Sequence, residues 1–206
     1  MPKLLHFEFE EAARQAAQSC ADVIGAMVDG EFHDEDDINP AWARDLSKSL
    51  NGHIHGLVWK SRILRHRKGV AGEEKKTGAD FILHYKFNSP KLSMSKGLLI
   101  QAKKSESGEK LSSSREKELR LQCKKMLEIT PASFVSNYCA GGMRFGSALR
   151  VFGLTDTTLS EDLEMSPHTF FFQFFQCPIG DSRINSHHYL DLPNVTHIFM
   201  DVFKDG

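Results

Sequence analysis

Four residues in the middle of the sequence have types and a spacing that suit the hydrolysis of a phosphate ester. Asp80 opens one predicted strand, and Gln101-Ala102-Lys103 ends another about 21 residues later. Because alternate side chains of a strand share a face, Gln101 and Lys103 point the same way, and pairing of the two strands brings Asp80 to that face. Mg²⁺ prefers oxygen ligands, here the Asp80 carboxylate, the Gln101 side-chain carbonyl and the Ala102 backbone carbonyl. Lys103 can orient the attacking water or stabilise developing charge.

This pattern resembles the signature of the PD-(D/E)XK nuclease superfamily over roughly residues 56–139. In that superfamily an acidic residue on one strand is followed by (D/E)-X-K on the next, and then by a helix and a further strand. Gly78-Ala79-Asp80 stands where the first acid belongs, and Gln101-Ala102-Lys103 matches the Q-X-K form of the Mrr-type branch. The resemblance implies Mg²⁺ (or Mn²⁺) as cofactor, Asp80 and Gln101 at the metal, Lys103 as the catalytic lysine, and DNA as the substrate.

The sequence departs from the commonest form of the signature at one position. Gln101 replaces a carboxylate, which removes a negative charge from the metal site, and Glu74 (or Glu73) just before Asp80 is expected to compensate. Many members of the superfamily also use a glutamate from the helix that precedes the sheet. Three acidic residues are options for that position: Glu10, Glu11 and Asp45. Gln122, on the helix after the motif, resembles an auxiliary glutamine of some branches.

The charge is unevenly distributed along the chain, although the net charge is only −1. Residues 51–125 hold 18 basic and 7 acidic side chains, whereas the segments before and after are net negative. Such an asymmetry is expected where one surface meets a polyanion, although a solvated lysine-rich face has the same composition. The residues expected to contact DNA phosphates are Lys60, Arg62, Arg65, Arg67, Lys68, Lys104 and Lys124.

The elements that must position these residues follow from hydrophobic periodicity and helix-capping signals. Helices are predicted at 8–28, from Asn39-Pro40 to 50, at 113–129 and at 168–177, where a strand is the alternative. Strands are predicted at 56–64, 79–87, 97–104, 133–139, 143–152 and 196–203, and the acidic run 29–37 is expected to be a loop. The order predicts one α/β domain over 1–206. With the resemblance, it becomes a restriction-endonuclease-like mixed sheet flanked by helices, with a core at about 40–152 and residues 153–206 packed on it as an extension.

Several protein classes are excluded by composition. The sequence has no apolar run of about 18 residues and no apolar segment typical of a secretory signal near its start, so we expect no membrane span and no secretion. Four scattered cysteines without a C-x-x-C pair favour a reducing, cytoplasmic location over a zinc ribbon or disulfide framework. The histidines at 53 and 55, and those at 187, 188 and 197, are not expected to hold a metal, because chance pairs are common among ten histidines.

The sequence therefore predicts a metal-dependent deoxyribonuclease. The resemblance further implies an effector in prokaryotic defence or restriction, activated by a protein partner or by homo-oligomerisation. The alternative is a catalytically inactive module with the same fold that binds nucleic acid or a protein, and glutamine at position 101 favours it. In that case Asp80 caps a strand turn, while Lys103 and Lys104 end a strand at the surface.

Overall fold

A seven-stranded mixed sheet with helices on both faces forms the protein. The computed structural model describes residues 6–65, 77–176, 178–184 and 195–204. Its helices are α1 (His6–Val28), α2 (Glu35–Ser49), α3 (Ser113–Ile129), α4 (Ala148–Gly153), α5 (Leu159–Asp162) and α6 (Pro167–Gln176). Its strands are β1 (Gly52–Ile54), β2 (Leu57–Arg65), β3 (Phe81–Asn88), β4 (Ser93–Lys104), β5 (Ser133–Tyr138), β6 (Arg144–Ser147) and β7 (Thr196–Phe203). The predicted α/β class is confirmed.

The strand order is β1-β2-β7-β3-β4-β5-β6. Strands β3 and β4 form the expected antiparallel hairpin, and α3 connects β4 to the parallel strand β5. The last strand, β7, is hydrogen-bonded to β2 on one side and to β3 on the other. The expectation that residues 153–206 pack on a finished core as an extension was therefore wrong, because β7 lies inside the sheet and satisfies the backbone groups of both neighbours.

One face of the sheet carries the larger, aromatic core. Helices α1, α2 and α6 pack here against the side chains of β3, β4 and β7. The Trp42 and Phe81 rings meet edge to face at 4.7 Å, and Phe145 stacks on Phe170 at 4.1 Å. The phenylalanine-rich segment predicted as a helix forms α6 up to Gln176, with Phe170, Phe171, Phe174 and Phe175 buried, and residue 177 lies outside the described residues.

The other face carries a smaller core beneath α3, α4 and α5. Ile82, Leu99 and Val135 of the sheet pack there against Leu119 and Cys123 of α3. Strand alternation places Asp80 on the same side as Ile82, and Gln101 and Lys103 on the same side as Leu99. The predicted site residues therefore face α3.

Two predicted boundaries were wrong at the start of a helix, and the strand predicted at 97–104 begins earlier, at Ser93. Helix α2 begins at Glu35 rather than at Asn39-Pro40, because the Asp34 side chain caps it by accepting a hydrogen bond from the backbone N–H of Asp37. The predicted strand 143–152 ends at Ser147, whose hydroxyl caps the short helix α4. Among the described residues, no helix has the length and apolar character needed to cross a bilayer.

Candidate functional site

The β3–β4 hairpin brings three of the sequence-predicted residues into direct contact. The Asp80 carboxylate oxygen Oδ2 accepts hydrogen bonds from Gln101 Nε2 at 2.5 Å and from the Ala102 backbone N–H at 2.9 Å. Gln101 Nε2 also donates to the Ala102 carbonyl at 2.9 Å. Asp80 and Gln101 are 7% and 1% exposed, so this polar cluster is nearly buried.

The turn that leads into Asp80 lies directly against α3. Gly78 has a φ of +71°, and a Cβ atom there would lie 2.4 Å from the backbone carbonyl oxygen of Gln122. Only glycine satisfies both the left-handed conformation and this close approach. The backbone N–H of Ala79 donates to Thr77 Oγ1 at 3.2 Å and closes the turn. The glycine thus fixes the distance between Asp80 and α3.

Lys103, the predicted catalytic lysine, lies between two glutamates. Its Nζ donates to Glu118 Oε1 of α3 at 3.3 Å and lies 3.9 Å from Glu35 Oε2 of α2. Its side chain is 13% exposed, so the ammonium group is shielded but not sealed from solvent. Lys103 therefore connects the sheet to both flanking helices at the end of β4.

Glu35 is the site residue that sequence analysis missed. Its Oε1 accepts a hydrogen bond from the backbone N–H of Lys104 at 2.8 Å. Burial raises the pKa of Glu35 above its usual value, Lys103 and the Lys104 N–H oppose that rise, and the Asp80 carboxylate adds to it. The two carboxylates are therefore close enough to repel each other. An aspartate followed by three acidic residues is a helix N-terminal signal, and it could have placed Glu35 on a helix.

The three acidic residues considered for the helix position have other partners. Glu10 contacts His168, Glu11 contacts Arg14, and Asp45 contacts Arg44. Glu35 of α2 is instead the helix glutamate that lies beside Lys103 and Lys104. Glu73 and Glu74, the expected compensating acids, lie outside the described residues.

The oxygen atoms gathered here fit a hard divalent cation. Asp80 and Glu35 supply carboxylates, and Ala102 supplies a backbone carbonyl. Gln101 Oε1 is buried and has no hydrogen-bond partner in the described part of the chain, a costly condition that a cation would relieve. Mg²⁺ is bound by such mixed oxygen sets. No group of three or more histidine, cysteine, aspartate or glutamate side chains suited to a metal occurs among the described residues, so a site here depends on the amide and carbonyl oxygens.

A surface cavity of about 410 Å³ adjoins the site. The lining residues are His33, Asp34, Glu35, Asp36, Lys104 and Arg115. Lys104 donates from Nζ to the His33 carbonyl at 2.7 Å, and Arg115 donates to Glu109 and to the Lys104 carbonyl. Glu35 is the cluster residue that lines this cavity, so solvent reaches the cluster at Glu35, whereas Asp80 and Gln101 lie behind it.

The remaining predicted residues lie on β2 and α3 or outside the described residues. Lys60 and Arg62 are exposed on β2, and strand pairing places them on the same face of the sheet as Asp80. Lys124 is exposed on α3, and Gln122 donates to Glu118 Oε1 at 3.2 Å. Arg65 ends β2, and its side chain, like Arg67 and Lys68, lies outside the described structure.

A second polar cluster lies on the same sheet face, further along β3. His84 Nε2 and His197 Nδ1 form a hydrogen bond of 3.0 Å, and the His84 ring stacks on Phe199 at 4.4 Å. Burial, followed by the charges of His197 and Arg62, lowers the pKa of His84 to about 3. His84 is therefore neutral at physiological pH.

No family model, curated protein or solved structure matches the chain. Function must therefore be inferred from the residues and geometry of the cluster.

Proposed function

We propose that the protein is a metal-dependent nuclease that hydrolyses DNA phosphodiester bonds. The observation that carries the proposal is the contact of Asp80 with Gln101, whose amide oxygen is buried without a partner in the described residues. Glu35 and Lys103 lie beside this pair. The order of an acid-bearing strand, the Q-X-K strand, α3 and β5 follows the superfamily signature, which supports a restriction-endonuclease-like fold.

Four groups would hold Mg²⁺ or Mn²⁺: the Asp80 and Glu35 carboxylates, Gln101 Oε1 and the Ala102 carbonyl. The cation, when bound, lowers the pKa of a coordinated water and withdraws charge from the phosphate. Glu35 supplies the negative charge that is lost with glutamine at position 101, which is the role expected of Glu74. The Glu35 carboxylate has a raised pKa because of burial, and a divalent cation stabilises its ionised form.

Lys103 would act on the reacting phosphate through its ammonium group. The Nζ atom lies at the end of β4 between α2 and α3, beside the Glu35 and Glu118 carboxylates. There it can donate a hydrogen bond to a phosphate oxygen as negative charge develops, or hold the attacking water.

Exposed cations on the same sheet face provide a surface for the DNA backbone. Lys60 lies 5.3 Å above the Phe203 ring, and the Arg62 guanidinium lies 4.1 Å above Phe199. Lys86 is exposed on β3, which places a third positive charge on this face. The aromatic rings attract the charged groups of Lys60 and Arg62, and phosphate contacts from such residues make affinity depend on salt.

The decisive experiment compares plasmid cleavage by the wild type with that by Asp80→Asn and Lys103→Met, each in Mg²⁺ and in Mn²⁺. Both substitutions are expected to lower the cleavage rate by about 1,000-fold, because each removes a group that acts on the reacting atoms. Asp29→Asn and Lys48→Met, at exposed positions of the turn after α1 and of α2, are the matched controls and should cleave like the wild type. Circular dichroism checks that each variant is folded.

One observation favours a second function, a nuclease-fold module that binds nucleic acid or protein without cutting. Asp80, Gln101 and Lys103 are all engaged in contacts with other side chains, as they would be in a purely structural cluster. DNA binding without cleavage in either metal would support this module and contradict the nuclease. The wider role, a cytoplasmic effector of prokaryotic defence activated by self-association or a protein partner, follows from the resemblance alone. It is tested by cleavage assays over a range of protein concentrations.

A further inference from the structure

Glu118 of α3 bridges the catalytic lysine of the proposed nuclease to a second side chain of the same helix. Its Oε1 accepts hydrogen bonds from Lys103 Nζ at 3.3 Å and from Gln122 Nε2 at 3.2 Å. Residues 118 and 122 are one helical turn apart, so they project on the same side of α3. Gln122 is itself fixed, because its backbone lies against the Gly78 turn that leads into Asp80.

Among the described residues, Lys103 has two carboxylate neighbours, and only one of them is independent of the proposed metal. Glu35 Oε2 lies 3.9 Å from Nζ, but Glu35 is a proposed ligand, and a cation would compete with the ammonium group for it. Glu118 is closer, and it lies on α3 rather than among the ligands. Its side chain is 59% exposed, so the ion pair contributes little to stability. Its effect is expected on the placement of Lys103.

We propose that Glu118 is a positioning residue that holds the Lys103 ammonium group beside the reacting phosphate, with Gln122 fixing the orientation of the Glu118 carboxylate. The inference rests on the proposed function, since it assigns a role in that same reaction. Glu118 acts through Lys103 and does not contact the metal. Its loss therefore lowers the rate of the chemical step and leaves DNA binding unchanged.

Steady-state kinetics of Glu118→Gln test this role against the matched control Glu128→Gln, an exposed glutamate ten residues further along the same helix. Glu118→Gln is expected to lower kcat about 10-fold with KM within two-fold of wild type, because misplacing a catalytic group slows the chemical step. Glu128→Gln should match the wild type. Adding Glu118→Gln to Lys103→Met should cause no further loss, because the two residues act as a unit.

A second measurement does not depend on catalysis. The exchange rate of the Lys103 ammonium protons with water, measured by NMR and assigned by the loss of the signal in Lys103→Met, should rise several-fold in Glu118→Gln and stay unchanged in Glu128→Gln. An unchanged exchange rate, or wild-type kcat in Glu118→Gln, overturns this inference while the nuclease proposal stands. Absence of cleavage by the wild type overturns the nuclease proposal, whatever the exchange rate shows.

Discussion

The two polar clusters on one face of the sheet differ in charge and in access to solvent. The cluster at the end of β4 combines the carboxylates of Asp80 and Glu35 with the ammonium of Lys103, and a cavity of about 410 Å³ adjoins it. The cluster further along β3 consists of His84, which is neutral at physiological pH, and His197, and their exposed fractions are 4% and 0%. Asp80, directly before β3, and His84 are only four positions apart in the sequence.

The difference follows from position along the strand. At the end of β4 the sheet meets the N-terminus of α2 and the side of α3, and these elements supply charged partners and an opening to water. Along β3, neighbouring strands and aromatic rings surround the two imidazoles, and the cost of burying charge keeps His84 neutral. A buried polar group on this sheet therefore indicates a functional site only where charged partners and solvent access accompany it.

The largest effect is expected from Glu35→Gln, which removes a negative charge from the cluster at the end of β4. This cluster, formed by Asp80, Gln101, Lys103 and Glu35, is called the open cluster below. Cleavage should fall about 100-fold or more, because even outer partners of metal ligands cost 10- to 100-fold. Burial raises the pKa of Glu35, so its ionised form is disfavoured in the folded protein, and the neutral glutamine should raise the melting temperature without metal. Thermal shift with and without Mg²⁺, together with plasmid cleavage, measures both effects.

The control for this variant is Glu31→Gln, at an exposed position just before α2. It should leave three quantities unchanged: the melting temperature, the shift of that temperature on adding Mg²⁺, and the cleavage rate. A wild-type Mg²⁺ shift in Glu35→Gln would remove Glu35 from the proposed ligands.

The second effect concerns the turn that holds the open cluster against α3. Gly78→Ala should lower the free energy of unfolding by about 3 kcal/mol, because alanine disfavours the left-handed conformation and its Cβ would clash with Gln122. Gly25→Ala, in the interior of α1 with no atom near the added Cβ, should instead raise it by about 0.5–1 kcal/mol. Urea denaturation measures both. Equal stability of Gly78→Ala and the wild type would show that the turn is not constrained.

The third effect comes from the pair His84 and His197, called the closed cluster here, and depends on pH. The pKa of His84 is lowered to about 3 in the folded protein, against about 6.5 in an unfolded chain. Between these values only the unfolded state binds the proton, so stability falls as the pH drops, by up to about 1.4 kcal/mol per pH unit from this group. Urea denaturation at pH 7, 6 and 5 should show a shallower pH slope for His84→Gln than for the wild type.

His53→Gln, at an exposed position of β1, is the control and should keep the wild-type slope. Equal slopes in all three proteins would mean that His84 is not the neutral group assigned here. Cleavage per folded molecule should be unaffected by His84→Gln, which separates the closed cluster from the open one.

The smallest effect is expected from the exposed cations of β2, which belong to the proposed DNA-binding surface. Lys60→Gln and Arg62→Gln should each weaken DNA binding only a few-fold. Each should also reduce the slope of log K, the logarithm of the binding constant, against the logarithm of the salt concentration by about one. Lys48→Gln, on α2 over the opposite face of the sheet, should have no effect. Fluorescence anisotropy at several salt concentrations measures the slope, and an unchanged slope would place the DNA elsewhere.

Local patterns in the sequence predicted most helices and strands and part of the site. The α3 prediction was confirmed at both ends, because periodicity acts within a few residues, and the structure places the cap at Ser112. The contact of Asp80 with Gln101 follows from strand alternation and one hairpin, so it too could be predicted. The metal, the substrate and the catalytic roles stay predictions.

Long-range placement could not be predicted in the same way. Glu35 bonds to the backbone of Lys104, 69 residues away, and its acidic neighbours suit either a loop or the first turn of a helix. The partners of β7 were missed for a related reason. An apolar strand pattern shows that a segment is buried but does not identify its neighbours in the sheet.

The central place of β7 also ties the position of Asp80 to a distant part of the sequence. The backbone N–H of Thr196, the first residue of β7, donates to the Asp80 carbonyl at 2.9 Å, and the strand continues along both β2 and β3. A substitution that loosens β7 should therefore disturb the Asp80 backbone, although the two segments are more than a hundred residues apart in sequence.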